Sequence, residues 1–351
     1  MVKLFSGMEE LPVRLEEWKW VFKKSLTKAF YLVLLLRFKV EIYIFQMVDL
    51  SVKFCRVEFK NPTVLASGVL GVTASSLKNV VRNGAGGVTT KSIWLQENVG
   101  HKNPTMFGTD HYFMNAVGLS DAGIEKALGE TFPEYNKRKP APIIASIVAV
   151  KIEDFGLLAE KISEGNPDII EVNISCPNVE DKYGKPFACS LVDAAKVTEA
   201  VKSRTKKPVI IKLSPNVNDI GEIAKACADR GADGFCVINT LGPGMAVDID
   251  LRMPILANKV GGISGPALKP IAVKCVYDVY KATGLPIVAT GGVMTGEDAI
   301  EMMMVGGRLV GIGTMVYYRG VSGFKKIVKE MADWCDKNGI HKIEEIIGVV
   351  K

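Results

Sequence analysis

One rhythm dominates the chain from Pro62 onward. A short apolar run ends in small or polar residues, an amphipathic helical stretch follows, and the pattern repeats. The runs fall at 64–67, 87–90, 143–148, 169–174, 209–213, 234–238, 287–289 and 309–313. Unbroken hydrophobicity over so few residues is what a strand covered on both faces requires, so each run reads as a buried parallel strand. Helical stretches include 219–228, 269–282, 297–305 and 324–338, with Gly231, Gly284, Gly306 and Gly339 where C-terminal caps belong. About eight such units in ~250 residues predict an α/β fold, a closed (β/α)8 TIM barrel with long rim loops. The rival is an open doubly wound sheet, which usually carries G-x-G-x-x-G after its first strand; here that strand ends Ala66-Ser67-Gly68. Two connections, 93–140 and 241–266, are too long for simple turns and belong at the C-terminal rim, where substrate loops and lids sit.

Composition narrows the function classes. With 48% hydrophobic and 23% charged residues and 34 glycines, the 351-residue chain reads as soluble, globular and rich in turns. A net charge of +6, without a dense basic run interleaved with aromatics, gives no reason to expect a nucleic-acid partner. The seven cysteines form no C-x-x-C pair, so no metal or iron–sulfur site is expected in this chain, and their scatter suits a reducing cytoplasm rather than a disulfide framework. Residues 1–46 differ from the rest: they hold Trp18 and Trp20, and the apolar run 29–36 is followed at once by Arg37, Lys39 and Glu41. That run is too short to cross a bilayer and lacks a signal-peptide cleavage site. An amphipathic membrane-surface helix is one reading. Composition favours the other, an N-terminal extension upstream of a true start at Met47, with 47–351 as the catalytic barrel and no membrane association.

Polar residues recur at the expected C-terminal ends of the strands: Ser67, Lys91-Ser92, Asn173 with Cys176 and Asn178, Lys212, Asn239-Thr240, Gly291-Gly292 and Gly313-Thr314. Any one could simply be a strand end meeting solvent. Their recurrence around the rim marks an active site. Gly291, Gly292 and Gly313 stand where the fold commonly binds phosphate, and Gly265 could add another N–H group; turn glycine is the plainer alternative. Lys91 and Lys212 need negative charge nearby. Reduced flavin, which is negative near N1 and O2, would supply it; a Schiff-base lysine of a barrel lyase explains them equally well. Cys176, just past the fourth strand and held extended by Pro177, can take a proton from a ligand. A lone cysteine is more often a small core side chain. That reading suits Cys227, Cys236 and Cys275 better than Cys176, which has Asn173, Ser175 and Asn178 around it.

These segments resemble one family. Asn-Ile-Ser-Cys-Pro-Asn-Val at 173–179, Lys-Leu-Ser-Pro-Asn-Val at 212–217 and Ile-Asn-Thr-Leu at 238–241 are similar to the dihydroorotate dehydrogenases. Arg-Met-Pro-Ile-Leu-Ala-Asn at 252–258, the stretch 261–270 and Asn-Ala-Val-Gly-Leu at 115–119 resemble the class 1B branch, and the resemblance covers about 48–350. It implies one FMN per barrel, contacted by Ser67, Lys91, Ser92, Asn173, Lys212, Ile238, Gly265, Gly291, Gly292, Gly313 and Thr314, with Ser146 where the family commonly has Asn. It implies orotate held by Lys91, Asn115, Ala116, Val117, Gly118, Leu119, Asn173, Asn178, Asn239 and Thr240; amide side chains suit a pyrimidine's alternating N–H and C=O groups. The implied reaction, in pyrimidine biosynthesis, removes the C5 proton with Cys176 as base and passes hydride from C6 to FMN. Class 1B implies electron transfer to NAD through a partner subunit carrying FAD and an iron–sulfur cluster, around a homo-oligomeric core. The loop after Val179 departs from the family's double-glycine version. The alternatives are a related flavin-dependent pyrimidine reductase, such as the dihydropyrimidine dehydrogenase barrel, and a phosphate-binding Schiff-base lyase.

Overall fold

The computed structural model describes residues 48–175 and 186–351, and Val48–Lys351 forms one compact unit. Cys176, Asn178 and the stretch 1–46 lie outside the described residues.

The chain enters through a hairpin, β1 (Val52–Phe54) and β2 (Val57–Phe59). Its turn residues Cys55 and Arg56 both have positive φ, 46° and 70°, the backbone of a tight hairpin turn normally signalled by Asn or Gly. Phe54 and Phe59 meet edge to face, ring centres 6.4 Å apart. Both are fully buried.

Eight parallel strands follow: β3 (Thr63–Leu65), β4 (Gly87–Thr89), β7 (Ile143–Ile147), β8 (Ile169–Asn173), β9 (Val209–Leu213), β10 (Gly234–Val237), β15 (Ile287–Thr290) and β16 (Gly307–Ile312). They close in that order, β16 pairing with β3. The expected (β/α)8 barrel is the observed fold. The last strand starts two residues before its expected apolar run, because Gly307 and Arg308 extend the ladder beside Ile287. Between strands run α1 (Ala74–Arg82), α2 (Ile152–Glu164), α3 (Leu191–Lys202), α4 (Ile220–Ala228), α5 (Lys269–Thr283), α6 (Gly296–Met304), the short α7 (Met315–Arg319) and α8 (Gly323–Lys337). Side-chain oxygens of Thr73, Ser190, Asp219 and Thr295 cap four of these helices at their N-termini. Gly284 is a left-handed C-cap as expected, whereas Gly231, Gly306 and Gly339 sit just past capping residues Asp229, Val305 and Asn338, still with positive φ.

The two long connections meet each other. β5 (Met106–Gly108) and β6 (Phe113–Asn115) come from the first, β11 (Leu241–Gly244) and β14 (Gly261–Ser264) from the second. They form one antiparallel sheet in the order β11-β14-β6-β5. Gly262 lies opposite Asn115, and a Cβ there would collide with the Thr240 side chain. Glycine at 262 therefore lets the rim sheet close down on Thr240. β12 (Val247–Asp248) and β13 (Met253–Pro254) form a separate small hairpin beyond β11.

Candidate active site

The C-terminal ends of the barrel strands open into a cavity of about 770 Å³, within the roughly 300–1,000 Å³ common for small-molecule sites. One side of it is backbone. Gly291 and Gly292 leave β15 with φ of 136° and 75°. A Cβ on Gly291 would lie 2.6 Å from the Ala272 Cβ, and one on Gly292 2.6 Å from the Lys269 backbone nitrogen, so only glycine fits at either position. Gly313 and Thr314 follow β16 at the start of α7, and Gly265 (φ 81°) also lines the cavity. Among the described residues, the N–H groups of Gly291, Gly292, Gly313 and Thr314 donate to no protein acceptor. Thr314 and Ser264 share a hydroxyl hydrogen bond of 2.8 Å beside them. Converging N–H groups of this kind favour an anion such as phosphate.

The other side is made of side chains on β4, β8 and β10. Asn173 Nδ2 donates to Ser92 Oγ at 3.0 Å, and Asn173 Oδ1 accepts from Ser175 Oγ at 3.2 Å. Asn239 Nδ2 donates to the same Ser175 hydroxyl at 3.0 Å. Ser175 thus ties two amides from different strands into one fixed orientation. Lys91 Nζ donates to Ser120 Oγ at 2.9 Å. Burial holds the Lys91 ammonium below the usual lysine range, while the Asp121 carboxylate acts in the opposite direction. The segment Asn115 to Leu119 is pinned from behind: Trp94 Nε1 donates to Leu119 O at 2.8 Å, and Asn98 Nδ2 to Gly118 O at 3.0 Å.

Lys212 stands on the floor between the two sides, only 5% exposed, with Nζ 2.7 Å from Ser67 Oγ. Below it lies the buried Glu171 carboxylate, 4.0 Å away.

The cavity wall brings together Ser67, Lys91, Ser92, Asn173, Lys212 and Ile238 with Gly265, Gly291, Gly292, Gly313 and Thr314. It also includes Asn115, Val117, Gly118, Leu119, Asn239 and Thr240. Two of the expected residues are not in the cavity wall. Ser146 is fully buried one layer behind the wall, its hydroxyl 2.9 Å from Ser92 Oγ, because Ser92 and Asn173 stand in front of it. Ala116 is also fully buried and outside the cavity wall; its carbonyl meets His101 Nδ1 at 3.0 Å.

Sequence reasoning missed an apolar portion of the wall. Phe107, Phe113 and Tyr317 line it, with the Phe113 and Tyr317 rings 4.9 Å apart. Phe107 and Phe113 come from the first long connection and Tyr317 from α7, so no local pattern marked the three as one wall. Cys227, Cys236 and Cys275, read as core side chains, are buried. Burial pushes the Cys227 thiol up to about 11 and Cys275 likewise to about 11. Burial first, then the Glu171 charge, pushes Cys236 up further. Among the described residues no group of three or more His, Cys, Asp or Glu side chains could hold a metal ion, and no helix is long and apolar enough to cross a membrane.

Known proteins agree with this architecture. A family model for dihydroorotate dehydrogenase matches residues 49–334. The catalytic subunit of dihydroorotate dehydrogenase B (NAD(+)) from Methanocaldococcus jannaschii is 46% identical over 303 residues, 86% of this chain and 97% of that one. Its counterpart from Pyrococcus abyssi is 41% identical over 301 residues, 86% of this chain and 98% of that one. In fold, the ligand-free crystal structure of DHODH from Eimeria tenella superposes with a TM-score of 0.73 at 24% identity, covering 86% of this chain and 91% of that one. The rim cavity, the order of its strand-end residues and a family match spanning most of the barrel lead to one conclusion: the chain belongs to the dihydroorotate dehydrogenase family.

Proposed function

We propose that this chain oxidises dihydroorotate to orotate in pyrimidine biosynthesis, with FMN as its resident cofactor. The observation that carries the reading is the division of a single cavity into a backbone N–H cradle and a cluster of amide side chains, with a buried lysine between them.

The cradle suits a phosphate group: its donors are backbone N–H groups, and Gly291 and Gly292 leave no room for a Cβ. Gly291, Gly292, Gly313 and Thr314 would hold the FMN phosphate, Lys212 would face the negative edge of the ring system, and Ser92 and Asn173 would fix the ring's polar atoms. Bound FMN supplies the acceptor for the hydride leaving C6 of dihydroorotate. Lys91 holds the substrate carboxylate. Asn115, Asn173, Asn178, Asn239 and Thr240 pair with the pyrimidine's N–H and C=O groups and orient C5. Cys176, three positions after the end of β8 in the chain, takes the C5 proton on its sulfur; Ser146 acts indirectly by fixing Ser92.

The relatives' designation as catalytic subunits supports a separate partner that moves electrons to NAD. We assign FAD and an iron–sulfur cluster to that partner and a homo-oligomeric core to the catalytic chains, in a reducing cytoplasm. Purified protein is expected to be yellow, to release FMN on denaturation and to bleach with dihydroorotate. It should reduce dyes and hardly reduce NAD by itself. Release of FAD, or no bleaching by dihydroorotate, overturns the assignment; efficient turnover with fumarate would place the chain in class 1A instead.

A further inference from the structure

Glu171 has no role in the reaction described above, yet it is one of the most deeply placed charges in the barrel. In β8 the alternation of a strand sends Ile169, Glu171 and Asn173 to one face. Asn173 lines the cavity on that face, so Glu171 sits one layer below it, inside the barrel. It is 2% exposed, and its Oε1 has no hydrogen-bond partner among the described residues. A carboxylate so placed is costly unless another charge compensates it. Lys212 of β9 lies 4.0 Å away. Among the described residues, the polar groups beside it on the neighbouring strands are neutral. The Cys236 thiol of β10 has its pKa raised by burial and by Glu171 itself, and so keeps its proton. Ser146 of β7, opposite Glu171 in the ladder, and Thr290 of β15, near Cys236, carry no charge.

We infer that Glu171 is a positioning residue that keeps Lys212 protonated and directed at the cavity floor. The 4.0 Å separation is central to this role. It is close enough for charge compensation in a low-dielectric interior. It is also too long for a hydrogen bond that would draw the ammonium down into the barrel, and the ammonium donates sideways to Ser67 Oγ at 2.7 Å. Glu171 thus sets the charge from below while Ser67 sets the direction. Removing Glu171 takes away one negative charge 4.0 Å from the ammonium, so the neutral amine of Lys212 gains weight relative to the wild type. The charge coupling stands on geometry alone; its consequence for flavin rests on the reading proposed above.

The test uses the full chain stripped of flavin. Carbamylation of Lys212 by cyanate is followed by peptide mass spectrometry from pH 6 to 10, with each rate expressed relative to its own high-pH plateau so that differences in access cancel. Only the neutral amine reacts. Glu171→Gln should raise the relative rate at pH 7.5 by about tenfold or more, and Glu171→Asp should restore much of the wild-type profile. Superimposable profiles for wild type and Glu171→Gln overturn the inference. Should Glu171→Gln fold poorly, Glu171→Gln/Lys212→Met should recover much of the thermal stability lost by the single variant; strictly additive losses overturn the coupling. On the flavin-loaded chain, FMN affinity of Glu171→Gln should fall between pH 7 and 9 where wild type stays flat. A shifted cyanate profile in a protein that binds no FMN would sink the functional reading and leave the coupling intact. Normal FMN binding with an unshifted profile would do the reverse.

Discussion

The two sides of the cavity use different materials. At the β15–β16 side, the polar groups are backbone N–H donors, those after β15 held by Gly291 and Gly292, whose φ values no other residue adopts easily. At the β4–β8–β10 side, they are amide, hydroxyl and ammonium groups, oriented by one another through Ser92, Ser120 and Ser175. A backbone cradle recognises a charge and tolerates little change in its own residues. A side-chain cluster recognises a pattern of donors and acceptors, and each member can be altered without moving the strands. Damage should therefore divide: cradle variants lose cofactor, while variants of Asn239, which is assigned to substrate alone, keep cofactor and lose substrate.

The largest expected effect lies with the proton acceptor. Cys176→Ala should keep FMN and bind orotate, while flavin reduction by dihydroorotate slows by roughly 10²–10⁴-fold, the usual loss of a general base. Cys189, an exposed cysteine whose sulfur lies 3.8 Å from Asn216 O, is the control, and Cys189→Ala should reduce its flavin at the wild-type rate. A dead Cys189→Ala, or a fully active Cys176→Ala, reverses the assignment.

Next comes the cradle. Gly292→Ala forces a Cβ against the Lys269 backbone at a φ of 75°, and FMN affinity should fall about tenfold to a hundredfold. Gly284→Ala offers a matched comparison: its φ is also positive, 63°, but its Cβ would meet nothing within 4 Å. It should lower stability by about 1 kcal/mol and leave FMN affinity alone. Equal FMN loss in both variants would mean that general destabilisation, not the cradle, is being measured.

Smaller effects test the cluster. Asn239→Ala removes the amide that Ser175 shares between two strands; orotate affinity should drop about tenfold, the value of one buried hydrogen bond, with FMN content unchanged. Lys91 should show itself through pH. Burial lowers its pKa, so orotate affinity should be flat below that lowered pKa and decline above it, starting earlier than for an ordinary lysine. Lys91→Met should abolish the decline. The stability contribution has the opposite trend. Between the folded and unfolded pKa values the native state binds fewer protons, so stability due to Lys91 rises with pH there. The smallest effect concerns the N-terminus: a chain beginning at Met47 should bind FMN and orotate as the full chain does, and an insoluble product would make 1–46 part of the working protein.

The sequence by itself determined the barrel, because a fully buried strand must be apolar throughout and the rhythm of such runs is local. It also determined most of the rim: a polar residue ending an apolar strand has nowhere else to face, which is why Asn173, Lys212, Asn239 and the Gly291-Gly292 pair line the cavity as expected. Only the tertiary structure decided what depends on distant segments meeting. The rim sheet joins residues near 107 to residues near 262, pairing that no local pattern encodes. The Cys55-Arg56 turn carries none of the usual turn residues, so its hairpin was silent. Ser146 and Ala116 lie near the site in sequence logic, but packing put Ser92 and Asn173 in front of one and buried the other outside the cavity wall. Glu171 was visible only as a letter in a motif. Its meaning depends on a lysine forty-one positions later in the chain and 4.0 Å away in space, because the energy of a buried charge is set by what surrounds it in three dimensions.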